Sequence, residues 1–344
     1  MEYRALGWSG CAVSSYALGT MTFGAETDET GSFEMLDTFV EAGGTFVDTA
    51  DVYASGASEQ IIGRWLAERP SDVTDRIVLA TKARFPMGPD VNDAGLSRRH
   101  LRRALHASLA RLDVEHIDLY QAHAWDPLTP LEETVAEFAD AISAGLISYW
   151  GLSNMTGWQV AAVCAVADSL GAPRPVTLQP QYNLLAREVE WEIVPSCEHH
   201  RLGLLPWSPL GGGWLTGKYE RDARPEGTTR LGENPERGVE AYDRRAGHQR
   251  TWDVLEELAG AADTHATSMG AIALAWLHER PSVTSIILGA RTVEQLEANL
   301  SAVDVRLTPP EIARLDSVSD PDPADYPYGG PGRDQRWRAL PSGS

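Results

Sequence analysis

Short apolar runs that stop abruptly at a polar residue alternate along this chain with longer stretches whose apolar positions recur at helical spacing. Thr45, Phe46 and Val47 end at Asp48, the run from Ile77 to Thr81 ends at Lys82, and the run from Ile117 to Gln121 leads to His123. Their β-branched and aromatic content predicts buried strands. Between them, Phe33, Leu36, Phe39 and Val40 keep helical spacing up to the Gly43-Gly44 stop, and Ile61, Ile62, Trp65 and Leu66 do the same after Ser58. The same pattern predicts helices from Ser97 to Leu112, Pro130 to Ala144, Trp158 to Leu170, Glu190 to His200, Thr251 to Leu277 with a break near His265, Val293 to Ala302 and Pro310 to Val318.

Strands that are each followed by a helix begin at Tyr16, Thr45, Ile77, Ile117, Ile147, Val176, Gly203 and Ser285, eight in all. No linker-like break separates them, so residues 1–344 are expected to form a single α/β domain, a (β/α)8 TIM barrel. An N-terminal β-hairpin, Tyr3 to Leu6 with Cys11 to Val13, precedes the barrel, and a tail from 319 to 344 follows it. A doubly wound open sheet is the competing architecture, but the first βα turn, Gly19 to Gly24, lacks the G-x-G-x-x-G of a dinucleotide site. The stretch from Ser208 to His248 interrupts the alternation. It is rich in Gly, Pro, Arg and Glu and too long for a routine connection, so it is expected to be a functional loop over the site or partly mobile.

Composition narrows the partners. The 29 Lys and Arg against 49 Asp and Glu give a net charge of -20, which repels phosphate backbones and anionic lipid, so neither nucleic acid nor a membrane is expected as a partner. No apolar run approaches the ~20 residues of a membrane span, and the start MEYRALGWSG has no basic region followed by an apolar one. Cys11, Cys164 and Cys197 are widely spaced and lack metal-type spacing. The expectation is a cytoplasmic protein with free thiols and no metal site; its oligomeric state is open.

The basic residues hold one sharper signal. Only two lysines occur, Lys82 and Lys218, and arginine supplies every other Lys or Arg charge. Lysine differs from arginine in being a compact point charge whose pKa shifts readily on burial. Lys82, at the end of a buried strand, is thereby marked for chemistry, while Lys218 divides evenly between function and chance.

A barrel gathers its strand ends on one rim, which would bring Asp48, Tyr53 on the following loop, Lys82 and His123 together. A tyrosine of pKa ~10 donates a proton at neutral pH only if its phenolate is stabilised. An ammonium can do that, a carboxylate can hold the ammonium, and a histidine can donate to an oxygen that gains charge. The set can protonate a carbonyl oxygen during reduction, with the hydride supplied by a nicotinamide cofactor.

These residues carry a resemblance to the aldo-keto reductase superfamily that extends over nearly the whole chain. GTFVDTADVY with SEQIIG, LATK at Lys82, Gln121-Ala122-His123 with Asp126, Gly151-Leu152-Ser153-Asn154, Gln179-Pro180-Gln181-Tyr182-Asn183, Trp207-Ser208-Pro209-Leu210-Gly211 and Gly289-Ala290-Arg291-Thr292 follow in the family's order. The resemblance implies NADPH-linked reduction of an aldehyde or ketone, with Tyr53 as general acid, Lys82 lowering its pKa, Asp48 orienting Lys82, and His123 polarising the carbonyl. It implies that Ser153, Asn154 and Gln179 hold the nicotinamide carboxamide and that Trp207 stacks on the ring. Ser208, Pro209, Leu210, Gly211, Gly213 and Lys218 would clamp the pyrophosphate under Arg230. Arg291 and Thr292 would hold the 2′-phosphate beside Gly289, and Gln295 and Asn299 the adenine. Gly19, Thr20, Met21 and Asp48 would line the cofactor side of the first strands. Some relatives with these motifs sit on membrane channels, so a cofactor-binding regulatory subunit is the alternative.

Blander roles compete at several positions. Asp126 either belongs to the site or begins a turn before Pro127. Trp125, Trp214, Tyr182 and Phe23 either line the substrate pocket or fill the barrel mouth, and Arg98, Arg99, Arg102 and Arg103 read as a solvated helix face.

Overall fold

A computed structural model describes residues 1–336 apart from 228, 237 and 324. Two antiparallel strands, β1 (Tyr3–Ala5) and β2 (Ala12–Ser14), form the expected hairpin. Eight parallel strands then follow in chain order: β3 (Tyr16–Gly19), β4 (Phe46–Asp48), β5 (Val78–Ala83), β6 (Ile117–Ala122), β7 (Ile147–Ser153), β8 (Thr177–Gln179), β9 (Gly203–Leu204) and β10 (Ile286–Gly289). Each pairs with its sequence neighbour, and β10 pairs with β3. The remaining seam, between β9 and β10, is sewn by Thr284 N–H to Leu204 O at 2.8 Å, Leu204 N–H to Ser282 O at 2.9 Å and Ile287 N–H to Pro206 O at 3.0 Å. The fold is a (β/α)8 barrel.

Two apolar clusters reflect the alternation of side chains along the strands. The larger lies between strands and helices and includes Leu18, Val47, Leu79, Tyr120 and Leu152. The smaller fills the barrel interior with Ala17, Phe46, Ala80, Leu119, Leu205 and Ile287, joined by Leu6 and Val13 of the hairpin. The hairpin therefore plugs the N-terminal floor. Gly7 makes this close approach possible: its φ is 56°, and a Cβ there would stand 1.8 Å from the Val176 carbonyl oxygen.

The helices start and stop where the sequence signals them. Ser97 caps Arg98–Leu112 by accepting from His100 N–H, a Thr156–Gln159 capping box opens Gly157–Leu170, and Gly171 closes that helix at φ 62°. The stretch 208–248, which carries no period, is built from short turns: Gly211–Thr216, Arg230–Glu233, Gly238–Glu240 and Tyr242–Ala246. Buried Trp214 stacks with Tyr242 at 5.4 Å and donates to Glu240 O at 3.0 Å, and the Glu240 carboxylate accepts from Arg245 at 2.8 Å. Such contacts are nonlocal, which is why periodicity could not reveal the order of this loop.

In the tail, Gly330–Arg336 forms a short helix, and Tyr328 stacks on Trp191 at 5.5 Å, against the helix Val189–His200. Positions 324 and 337–344 of the tail lie outside the described residues. Arg98, Arg99, Arg102 and Arg103 are exposed, as expected of a solvated helix face, and on that face Arg98 pairs with Asp140 and Arg102 with Glu137 of the next helix. Among the described residues, no helix is long and apolar enough to cross a membrane.

Candidate active site

On four strands the inward-facing positions change from apolar to polar at the top, and on the fifth, with Thr177 below Gln179, both are polar. Two residues beyond Phe46, Ala80, Leu119, Gly151 and Thr177 stand Asp48, Lys82, Gln121, Ser153 and Gln179, so the period of two aims all of them into the barrel mouth. Register places Lys82 beside Gln121, and Ser153 beside Gln179.

Lys82 is fully buried, and its ammonium donates to Asp48 Oδ2 at 2.6 Å, to the Thr49 carbonyl at 2.7 Å and to the Tyr53 hydroxyl at 3.2 Å. Burial is the largest single influence and works against the ammonium, but Asp48 and Tyr53 together outweigh it and hold the Lys82 pKa above the ordinary lysine value. The other Asp48 oxygen accepts from the amides of Gln179 at 2.9 Å and Gln121 at 3.2 Å, which fixes the carboxylate. For Tyr53 the net shift is opposite to the lowering expected from the sequence. Burial pushes the phenol above its ordinary value, and the Lys82 charge only pulls part of that back. The phenol therefore carries its proton at neutral pH.

His123 stands across from this group, its ring edge-on to Tyr53 at 6.0 Å and to Phe85 at 4.7 Å. Burial, then the charges of Lys82 and Arg84, lower its pKa to about 2, so the imidazole is neutral. Its buried Nδ1 has no partner among the described residues. Asn154, in the left-handed region at φ 53°, donates to the His123 carbonyl at 3.0 Å and to Ser153 Oγ at 3.1 Å. The Ser153 hydroxyl donates to the Gln179 backbone carbonyl at 3.0 Å, and Trp207 donates its indole N–H to Asn154 Oδ1 at 3.0 Å. Ser153, Asn154, Gln179 and Trp207 thus form one connected rim. Thr20, after Gly19, donates through both N–H and hydroxyl to the Asp48 carbonyl, and Met21 is exposed beside it.

A second group lies in the loops after β9 and β10. Ser208 precedes Pro209 and Leu210 at φ 53°, and Gly211, Gly212 and Gly213 all have positive φ. At Gly213 a Cβ would come within 2.5 Å of the Lys218 Nζ. Partial burial, then the charges of Arg291 and Arg230, lower the Lys218 pKa, so three cations converge here in a chain of net charge -20. Arg291 forks onto Glu233 with two bonds of 2.9 Å and lies 3.6 Å from Glu26. Thr292 caps the helix Val293–Leu300 by accepting from Gln295 N–H, Gln295 in turn accepts from Arg291 N–H at 3.0 Å, and Asn299 donates to the Gly289 carbonyl at 3.2 Å.

The aldo/keto reductase family model matches residues 16–320. The chain belongs to the aldo/keto reductase family. It is an oxidoreductase of that family, similar to a probable voltage-gated potassium channel subunit beta of Arabidopsis thaliana, 38% identical over 92% of this chain and 96% of that one. An uncharacterized oxidoreductase of Bacillus subtilis, YrpG, is 37% identical over 92% of this chain and 94% of its own. A norsolorinic acid reductase of Aspergillus flavus is 34% identical over 93% of this chain and 80% of its own.

Several residues of this aldo/keto reductase emerge only from the fold. The Thr49 carbonyl and the Gln121 amide hold Lys82 and Asp48, and Glu26 and Glu233 hold Arg291. Behind Lys82, the two oxygens of buried Asp51 have no hydrogen-bond partner among the described residues, while buried Glu59 accepts from Arg111 and from Thr81, both at 2.6 Å. Asp126 is a loop fastener, its carboxylate accepting from Leu96 N–H, Leu128 N–H and the Thr129 hydroxyl. Phe23, Tyr182 and Trp214 are buried packing residues. Trp125 packs edge-on against Trp158.

Proposed function

We propose that the protein reduces an aldehyde or ketone to an alcohol with NADPH. The observation that carries this reading is the chain from buried Asp48 and Lys82 to half-buried Tyr53, opposite a neutral His123. The residues present fit the cofactor: left-handed glycines and three converging cations suit a pyrophosphate and a 2′-phosphate, and an indole face and side-chain amides line the barrel mouth. A nicotinamide held there supplies the hydride. Ser153, Asn154 and Gln179 would hold its carboxamide under Trp207, while Ser208, Pro209, Leu210, Gly211, Gly213, Lys218 and Arg230 would take the pyrophosphate. Arg291 and Thr292, beside Gly289, would bind the 2′-phosphate, and Gln295 and Asn299 the adenine; Gly19, Thr20 and Met21 would border the nicotinamide half.

Tyr53 gives its phenolic proton to the carbonyl oxygen as negative charge builds there. Lys82 stabilises the phenolate left behind, and Asp48 keeps the ammonium charged and in place. The neutral imidazole of His123 donates an N–H to the same oxygen without placing a second full cation beside Lys82. Loss of nicotinamide absorbance when NADPH is mixed with a panel of aldehydes and ketones tests the reading. Tight NADPH binding without consumption by any carbonyl would favour a regulatory subunit instead, the reading that the Arabidopsis relative's name brings.

A further inference from the structure

Arg84 follows Lys82 by two residues, directly beyond β5, and so shares its inward parity. Lys82 is in register with Gln121 and Ala83 with Ala122, and His123 N–H donates to the Ala83 carbonyl at 3.1 Å, so Arg84 comes level with His123 on the rim. Its guanidinium lies over the Phe85 ring at 5.2 Å, and that same ring packs against His123. The imidazole feels its charge.

Many arginines in this acidic chain grip carboxylates, as Arg102 grips Glu137 and Arg187 grips Glu190. Among the described residues, the Arg84 guanidinium has no hydrogen-bonding or ion-pairing partner, and its Nε is buried and unsatisfied. Asp126, whose carboxylate also feels the Arg84 charge, is committed to Leu96, Leu128 and Thr129. A partly buried guanidinium left unpaired beside a reacting centre is unfavourable unless a ligand completes it.

We propose that Arg84 is a specificity-determining residue that pairs with a carboxylate on the substrate, so that the preferred substrates are carbonyl compounds bearing an anionic group. The inference rests on the carbonyl-reductase reading above. The planar fork of arginine matches a carboxylate through two parallel bonds, and its place beside His123 lets one short molecule offer its carbonyl to Tyr53 and His123 and its anion to Arg84.

The test compares kcat/KM for 3-formylbenzoate and its methyl ester, with saturating NADPH, in wild type and Arg84→Gln. The expected acid-to-ester ratio is ~10 or more in wild type, the weight of a charge-assisted pair, falling to about 1 in the variant. An equal ratio in the two proteins, or a wild-type preference for the ester, overturns the assignment. If neither aldehyde is consumed, the reductase reading fails, and calorimetric binding of benzoate and benzamide to the NADPH-loaded proteins decides Arg84 separately. Benzoate binding ~10-fold tighter than benzamide in wild type alone upholds it; equal binding in wild type overturns it.

Discussion

Arg291 and Glu233 grip each other through two hydrogen bonds of 2.9 Å, one residue just beyond β10 and the other in the long loop after β9. A 2′-phosphate arriving at Arg291 must take over a fork already occupied by a carboxylate. NADPH is expected to bind ~10- to 100-fold more tightly than NADH, and Arg291→Ala to erase most of that difference. Glu233→Gln removes the competitor and is expected to tighten NADPH binding by ~2- to 5-fold, the weight of a partly exposed pair. Fluorescence titration reads all three values. Equal affinities of wild type for NADH and NADPH would show that Arg291 does not read the phosphate.

Tyr53→Phe is expected to lower turnover by ~10²-fold or more while leaving NADPH affinity nearly unchanged. The pH profile carries an independent mark. Because burial holds the Tyr53 pKa above its ordinary value, the phenol stays protonated and reduction should show no alkaline limb from it up to about pH 9. His123, with a pKa of about 2, stays neutral throughout the same range and should add no acid limb near the ordinary histidine value of ~6.5. A limb near neutral pH that disappears in His123→Gln would contradict this geometry.

Lys82 is wedged between Asp48, the Thr49 carbonyl and Tyr53 with no exposure, which leaves no room for a guanidinium. Lys82→Arg should therefore fail in turnover by ~10²-fold or more although it keeps the charge, and Lys82→Met should fail through loss of the charge. Lys218 lies at an exposed position, so Lys218→Arg should retain turnover and alter mainly cofactor affinity. Near-normal turnover of Lys82→Arg in steady-state assays would remove the argument from size.

The buried acids behind the site predict stability changes of opposite sign. Arg111→Ala strands the fully buried Glu59 carboxylate beside Asp51 and should destabilise by ~3–5 kcal/mol in urea unfolding. Burial and the Glu59 charge raise the Asp51 pKa to about 7, above its unfolded value, so the folded state binds the extra proton between about pH 4 and about pH 7 and Asp51 weakens the fold as pH rises through that window. Asp51→Asn should thus be more stable than wild type at and above neutral pH, with the gap closing toward pH ~4. A variant less stable than wild type at neutral pH would show that the ionised carboxylate is used.

Most of the architecture was legible in the chain because each signal is local. Apolar runs that end at Asp48, Lys82 and His123 report where strands leave the core, and glycines after helical stretches report where helices stop. Lysine scarcity singled out Lys82 by residue chemistry alone. Only the tertiary structure decided how these parts act on one another, because burial and charge pairing are set by residues distant in sequence. It joined Gln121 and Gln179 to the carboxylate of Asp48, ordered the loop 208–248 around Trp214 and Glu240, and set Glu233 on Arg291. The direction of the Tyr53 shift belongs to the same class: the neighbouring ammonium can be inferred from the residues, but the burial that outweighs it exists only once the barrel mouth has assembled.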